Sequence, residues 1–200
     1  MGTVIRKYNK DGLLIYEKDS NGDEYWKEYN DKGNLIYFKK YDGYEYWKEY
    51  DEKGNMIHFK NSKRYENWKE YDEDGNLICS KNSNGYKKQY KYDEDGNLIY
   101  SIDSNGSEYW GEYDNNGNLV HYKYSYGFES WYEYDEKGNM IHSIDSNGFE
   151  YWKEYDEDGN EIHYRNSDGE EYWKNYDEKG NPTHIKDYSG YEIKFINIYL

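Results

Sequence analysis

Two hundred residues carry a net charge of −16, from 42 acidic and 26 basic side chains. A field of that sign repels phosphate backbones and anionic lipid, so direct nucleic-acid and membrane-surface binding are disfavoured and a basic protein surface is attracted. Aromatic residues make up 21% of the chain, 30 of them Tyr and 7 Trp, with no Ala anywhere, which argues against disorder and against a helical bundle and for a pleated, half-buried surface.

From the N-terminus, Met1-Gly2-Thr3-Val4-Ile5-Arg6-Lys7 has no apolar leader, and Arg6 stands where a myristoylation motif wants Ser or Thr. One cysteine, Cys79, excludes an internal disulfide, and the expected setting is a reduced cytoplasm. No run of the sequence approaches a membrane span. From Gly12 onward glycine rules the chain. Gly12, Gly33, Gly54, Gly75, Gly96, Gly117, Gly138, Gly159 and Gly180 recur at a step of 21. A second series, from Gly22 to Gly190, follows ten residues behind and is broken only by Arg64.

Each copy reads strand, turn, strand, turn. In the second, Asn34 to Lys39 is one strand and Glu45 to Tyr50 the other, with Asp42-Gly43 between them. Elsewhere the short turn is Asn21-Gly22, Asn105-Gly106 or Asn147-Gly148, the signal of a two-residue type I′ hairpin. That loop length makes Leu35 oppose Tyr50, Tyr37 oppose Lys48, Lys39 oppose Tyr46, Ile36 oppose Glu49 and Phe38 oppose Trp47. The longer turn, Asp51-Glu52-Lys53-Gly54-Asn55, starts on Asp and offers Gly for a left-handed residue. Two glycines per 21 residues leave no room for a helix. The expected fold is all-β: tandem 21-residue β-hairpin repeats, about 18 strands by this pattern, in one long, twisted, curved or spiral antiparallel sheet. The expected organisation is a single continuous array over 1–200, with a half-repeat at 1–11, repeats from Gly12 to about 179 by the same ruler, and a capping repeat at 180–200 that ends in the apolar strand Tyr191 to Leu200.

The columns of the repeat are regular. Every Trp falls in one, from Trp26 to Trp173, and Tyr fills another without a gap from Tyr8 to Tyr176. Such ladders are first of all packing ribs. The pattern Tyr-x-Tyr-Asp-x-x-Gly-Asn-Leu stands as Tyr90-Lys91-Tyr92-Asp93-Glu94-Asp95-Gly96-Asn97-Leu98, with Met140 closing the copy that starts at Tyr132. It resembles the YD repeat of the RHS family over nearly the whole chain, and more weakly the MORN-type repeats. The resemblance implies strands wrapped into a spiral sheet. The shells that RHS proteins build around toxins use much longer arrays, so the encapsulating role is not carried over to about nine repeats of this length.

All five histidines, His58, His121, His142, His163 and His184, share one column with Cys79. Copies two strands apart stand about 9–10 Å from each other, too far for two ligands of one zinc, so no metal is expected and the column is read as a half-exposed site where Tyr and His interchange. The Asp-Glu-Asp-Gly turns at Asp72, Asp93 and Asp156 lack the further oxygen ligands of an EF-hand loop and read as turn chemistry. No nucleophile–base–orienter set stands out, and paired carboxylates recur in every copy, whereas an active site is a singular departure from its scaffold. The chain is read as non-enzymatic, with no cofactor.

The functional expectation is a protein-binding module whose Glu rows, Glu108, Glu129, Glu150 and Glu171 beside Glu112, Glu133 and Glu154, oppose a basic partner, with Tyr113, Tyr134 and Trp131 as anchors. Its sharper form is an inhibitor of a basic nucleic-acid-binding enzyme, of a mobile-element anti-defence or immunity type. The alternatives are glycan or cell-surface binding through the aromatic ribs, and a purely structural RHS-like shell fragment.

Overall fold

The computed structural model describes residues 3–195, so Met1, Gly2 and the end of the expected cap (196–200) lie outside the described residues. The chain is all-β, and no helix occurs among the described residues. The first nine strands are β1 (Ile5–Tyr8), β2 (Leu14–Lys18), β3 (Glu24–Tyr29), β4 (Leu35–Lys40), β5 (Glu45–Tyr50), β6 (Met56–Asn61), β7 (Glu66–Tyr71), β8 (Leu77–Asn82) and β9 (Lys87–Tyr92). The others are β10 (Leu98–Asp103), β11 (Glu108–Tyr113), β12 (Leu119–Tyr124), β13 (Glu129–Tyr134), β14 (Met140–Asp145), β15 (Glu150–Tyr155), β16 (Glu161–Asn166), β17 (Glu171–Tyr176), β18 (Pro182–Asp187) and β19 (Glu192–Lys194). Together they make one open antiparallel sheet of 19 strands, one more than the repeat count leads to. By backbone contacts the chain divides into two compact units, Met1–Tyr92 with Ser101–Gly106, and Asp93–Tyr100 with Ser107–Leu200. Within each unit, strands contact only their neighbours in sequence.

The short turns differ from the two-residue expectation. Lys40 N–H donates to Tyr44 O at 2.8 Å and Gly43 N–H to Lys40 O at 3.1 Å, leaving a three-residue loop, Tyr41-Asp42-Gly43. Only the glycine is left-handed, with φ of 85° at Gly43 and 93° at Gly22, whereas a type I′ turn needs positive φ at two residues. This is a type I turn closed by a glycine bulge. Where Asp or Asn opens the turn its side chain supports the loop, as when Asp19 Oδ1 accepts the N–H groups of Asn21 at 2.8 Å and Asp23 at 3.1 Å, and the loops opened by Lys40 and Tyr124 keep the same backbone pattern. The longer turns use the same device, with Asp72 Oδ1 accepting Asp74 N–H at 3.0 Å and Asn76 N–H at 2.7 Å. An Asp or Asn three residues ahead of the glycine therefore supports the longer loop against the signal of the Asn-Gly dipeptide.

One extra loop residue slips every short hairpin by one position, and this corrects the expected pairing. Tyr37 faces Trp47 instead of Lys48, Phe38 faces Tyr46 instead of Trp47, and Lys39 faces Glu45 instead of Tyr46. In the long hairpins Trp47 faces Lys60 and Glu49 faces His58, and the register then shifts before Tyr50, which faces Met56. Because side chains alternate, the slip sorts the two faces. One face collects Trp, His or Tyr, Glu and Lys. The other collects Phe38, Tyr46, Phe59 and their equivalents, with ring centroids 5.0 Å apart for Phe38–Tyr46 and 5.5 Å for Tyr46–Phe59.

Little of this sheet is dry. Among the described residues Cys79 is the one buried hydrophobic side chain, and Ser101, Ser130, Ser143 and Asn166 are the buried polar ones. Stability therefore rests on cross-strand pairs, each contributing about 0.2–1 kcal/mol, rather than on a closed core. The gapless Tyr column strengthens the hairpins. Tyr50 Oη–H donates to Leu35 O at 3.0 Å, Tyr113 to Leu98 O at 3.2 Å, Tyr134 to Leu119 O at 3.0 Å and Tyr155 to Met140 O at 3.0 Å. Each phenol ties the end of one strand to the start of the strand before it.

Candidate functional site

The Trp-bearing face carries one arrangement several times over. In the second unit, His142 on β14 pairs with Glu133 on β13 and Trp152 on β15. Its Nε2 lies 2.8 Å from Glu150 Oε1 and its Nδ1 3.5 Å from Glu133 Oε2, while its ring stacks on Trp152 at 5.4 Å and 15°. His163 repeats this with Glu154 at 3.2 Å, Glu171 at 2.8 Å and Trp173 at 5.0 Å. His121 does so with Glu112 at 3.5 Å, Glu129 at 3.3 Å and Trp131 at 5.1 Å. In the first unit His58 stands between Glu49 at 3.3 Å and Glu66 at 3.2 Å, stacked on Trp68 at 5.2 Å. Alternation and cross-strand register generate all four, so the site repeats because the hairpin does.

Tyr replaces His at the same position, with its ring tilted rather than stacked against Trp. Tyr37 Oη–H donates to Glu45 Oε2 at 2.5 Å and its ring lies 5.5 Å from Trp47. That hydrogen bond, with burial and the carboxylate charge, pushes the Tyr37 phenol up to about 12. Tyr100 reaches Glu108 Oε2 at 3.1 Å and its ring lies 5.9 Å from Trp110, tilted by 49°. The interchange of Tyr and His expected from the sequence is thus a shared role: an aromatic ring that donates to or bridges carboxylates while covering one side of an indole.

The two Glu rows differ in exposure. Glu112, Glu133 and Glu154 project into solvent, with side chains 68–70% exposed. Glu129, Glu150 and Glu171 are held closer in, at 23–34%. Glu129 is the most constrained, with Lys123 Nζ at 2.6 Å. The lysine's hydrogen bond comes first among the influences that hold its carboxyl below the usual range, and burial opposes it. Trp131 keeps 41% of its surface exposed and Trp173 40%. Of the expected site residues, the structure places Glu108, Glu112, Glu129, Glu133, Glu150, Glu154, Glu171 and Trp131 on this face. Tyr113 and Tyr134 stand apart, since their hydroxyls are spent on backbone carbonyls. The histidines are the members that sequence reasoning left out, and the loop length that brings them opposite Trp is the signal that finds them.

Among the described residues no group of three or more His, Cys, Asp or Glu converges as a metal site. Chemically the face offers exposed carboxylates at regular intervals beside partly open indole rings. Such a surface takes cationic or guanidinium groups, by ion pairing with the carboxylates and by stacking on Trp.

No family model matches the chain, and no curated protein matches it. Among solved structures, a TcdB2–TccC3–TEV crystal structure superposes with a TM-score of 0.74 at 14% identity, covering 94% of this chain and 11% of that one. A TcdB2–TccC3 crystal structure gives a TM-score of 0.61 at 13% identity, with 92% and 14% covered. The Photorhabdus luminescens Tc holotoxin pore gives 0.62 at 13% identity, with 96% and 14% covered. This chain spans between a tenth and a seventh of the length of those structures. What it shares with them is the fold, a repeated antiparallel hairpin sheet.

Proposed function

We propose that this chain is a non-enzymatic binding module that takes a basic protein partner on the Glu–His–Trp face of its hairpins. The observation that carries the reading is the row formed by Glu112, Glu133 and Glu154, largely solvent-exposed and each within 3.5 Å of a histidine stacked on Trp. A partner lysine or arginine can meet a carboxylate there and lie over the face of an exposed indole such as Trp131 in the same step. The net charge of −16 steers such a partner in. The finer form is inhibition of a basic nucleic-acid-binding enzyme, with the acidic row standing in its phosphate groove.

Titration with an oligo-arginine peptide, followed by Trp fluorescence, tests the reading. Binding is expected to weaken steeply from 50 to 300 mM salt, and Glu112→Gln/Glu133→Gln/Glu154→Gln to lower affinity roughly tenfold at low salt. Binding that ignores both salt and these substitutions contradicts it. If affinity for an oligosaccharide is instead salt-independent and lost in Trp131→Ala, the aromatic-rib reading stands in its place. The fold likeness to Tc toxin chains favours a second reading, a structural segment of a larger strand-wrapped assembly, for which neither ligand binds.

A further inference from the structure

One hairpin departs from the repeat. In every other copy the second strand opens on Glu, as at Glu45, Glu66 and Glu129, but β9 opens on Lys87. The same strand carries Gln89 where all but the last of the others carry Trp, and Lys91 where most carry Glu. The partner positions are unchanged: Lys39 faces Glu45 and Lys60 faces Glu66, yet Lys81 faces Lys87. In some regular copies a salt bridge follows, Lys18 Nζ to Glu24 at 2.9 Å and Lys123 Nζ to Glu129 at 2.6 Å. At β8–β9 two lysines are register partners, with no carboxylate in ion-pair distance of either among the described residues. Lys81 lies over the Trp68 ring at 5.8 Å, and Lys87 and Gln89 are exposed.

Like charges directly opposite across a strand pair are destabilising, and a single Lys-to-Glu change would restore the ladder. The local inversion also creates a positive spot on a face that is otherwise acidic. Its size fixes the ligand. Glu66 and Glu70 on β7 flank it, so an extended polyanion such as nucleic acid meets repulsion one strand away, whereas a single oxyanion group does not. We propose that the β8–β9 face is an oxyanion-binding site, taking one carboxylate or phosphate group between Lys81 and Lys87 with Gln89 as an additional donor. It stands independently of the acidic-face reading. For a partner laid along a repetitive surface, such a spot supplies the register that identical copies cannot.

NMR titration of the whole chain with inorganic phosphate, with a short peptide bearing a Glu pair between lysines, and with a thymidine oligonucleotide tests this. Phosphate and peptide are expected to shift the amide signals of Lys81, Lys87 and Gln89 first. The two arms separate a free phosphate from a peptide carboxylate as the natural source of the same chemistry. Lys87→Gln should weaken both at least fivefold. Lys87→Glu should abolish both while raising Tm by roughly 1–2 °C, because it rebuilds the Lys–Glu pair. Affinities within twofold of wild type in both variants overturn the site. An oligonucleotide that binds as tightly as phosphate overturns the claim that the site takes a single oxyanion.

Discussion

At the scale of single residues, the exceptions to the repeat carry the sharpest consequences. Arg64 holds the position that glycine holds in the other short turns, and it does so with φ of 67°, the one positive φ outside glycine among the described residues. Arg64→Gly should raise stability by about 1 kcal/mol, read as a higher urea midpoint at unchanged m-value, since a side chain in the left-handed region costs that much. Gly111 is the reverse case. A Cβ there would meet Leu98 O at 2.8 Å and Tyr109 Oη at 2.7 Å, and the backbone oxygen has nowhere to go. Gly111→Ala should therefore destabilise by about 1–3 kcal/mol, although lysine fills the equivalent site in other copies. Glu161 replaces the aliphatic residue that usually opens its strand and receives Tyr172 Oη–H at 2.8 Å, Lys174 Nζ at 2.9 Å and Lys153 Nζ at 2.9 Å. Burial alone would raise its carboxyl, but the three donors together hold it down at about 2. A folded value below the unfolded one contributes stability that is complete above the unfolded value and lost as pH falls through the folded one. Urea midpoints measured from pH 5 down to pH 2 should fall for the wild type and fall less for Glu161→Gln. Arg64 was visible in the sequence as a gap in the glycine series. The ring of donors around Glu161 was not, because it depends on which face each strand turns inward.

At the scale of the hairpin, element type, repeat length and turn positions were all legible, since Gly, Asp and Asn punctuate every copy. Register was not. The Asn-Gly pair at Asn21-Gly22 or Asn147-Gly148 signals a two-residue loop, which would place Lys48 opposite Tyr37. Further back, however, Asp19 and Asp145 accept backbone N–H groups two and four residues ahead, which supports a three-residue loop. A slip of one residue exchanges the faces, and with it went the stacking of His on Trp. The Tyr column forms packing ribs, as its periodicity indicates, and the hydroxyl adds a role that periodicity cannot show. Tyr113→Phe, which keeps the ring and removes the bond to Leu98 O, should cost about 1 kcal/mol in a denaturation midpoint. The conservative change costing nothing would mean that the ring alone does the pinning.

At the scale of the molecule, a sheet whose strands touch only their sequence neighbours behaves as a one-dimensional array within each unit. Hydrogen exchange should show β1 and β2 opening before β5 and β6 in the first unit, and β19 before β14 and β15 in the second. Uniform protection across a unit would mean cooperativity of a kind that neighbour contacts do not supply. The chain's acidity and its aromatic ribs were plain from composition, and the expected Glu rows do share a face. What makes that face a candidate surface is the bridging of its carboxylates by rings stacked on Trp, a product of the corrected register. The most direct test is to map an oligo-arginine peptide onto the chain by NMR. The account predicts that the indole N–H signals of Trp131, Trp152 and Trp173 and the side chains of Glu112, Glu133 and Glu154 shift, while Tyr109, Tyr151 and Tyr172 on the opposite face stay still. Shifts confined to those tyrosines, or spread evenly over both faces, would contradict it.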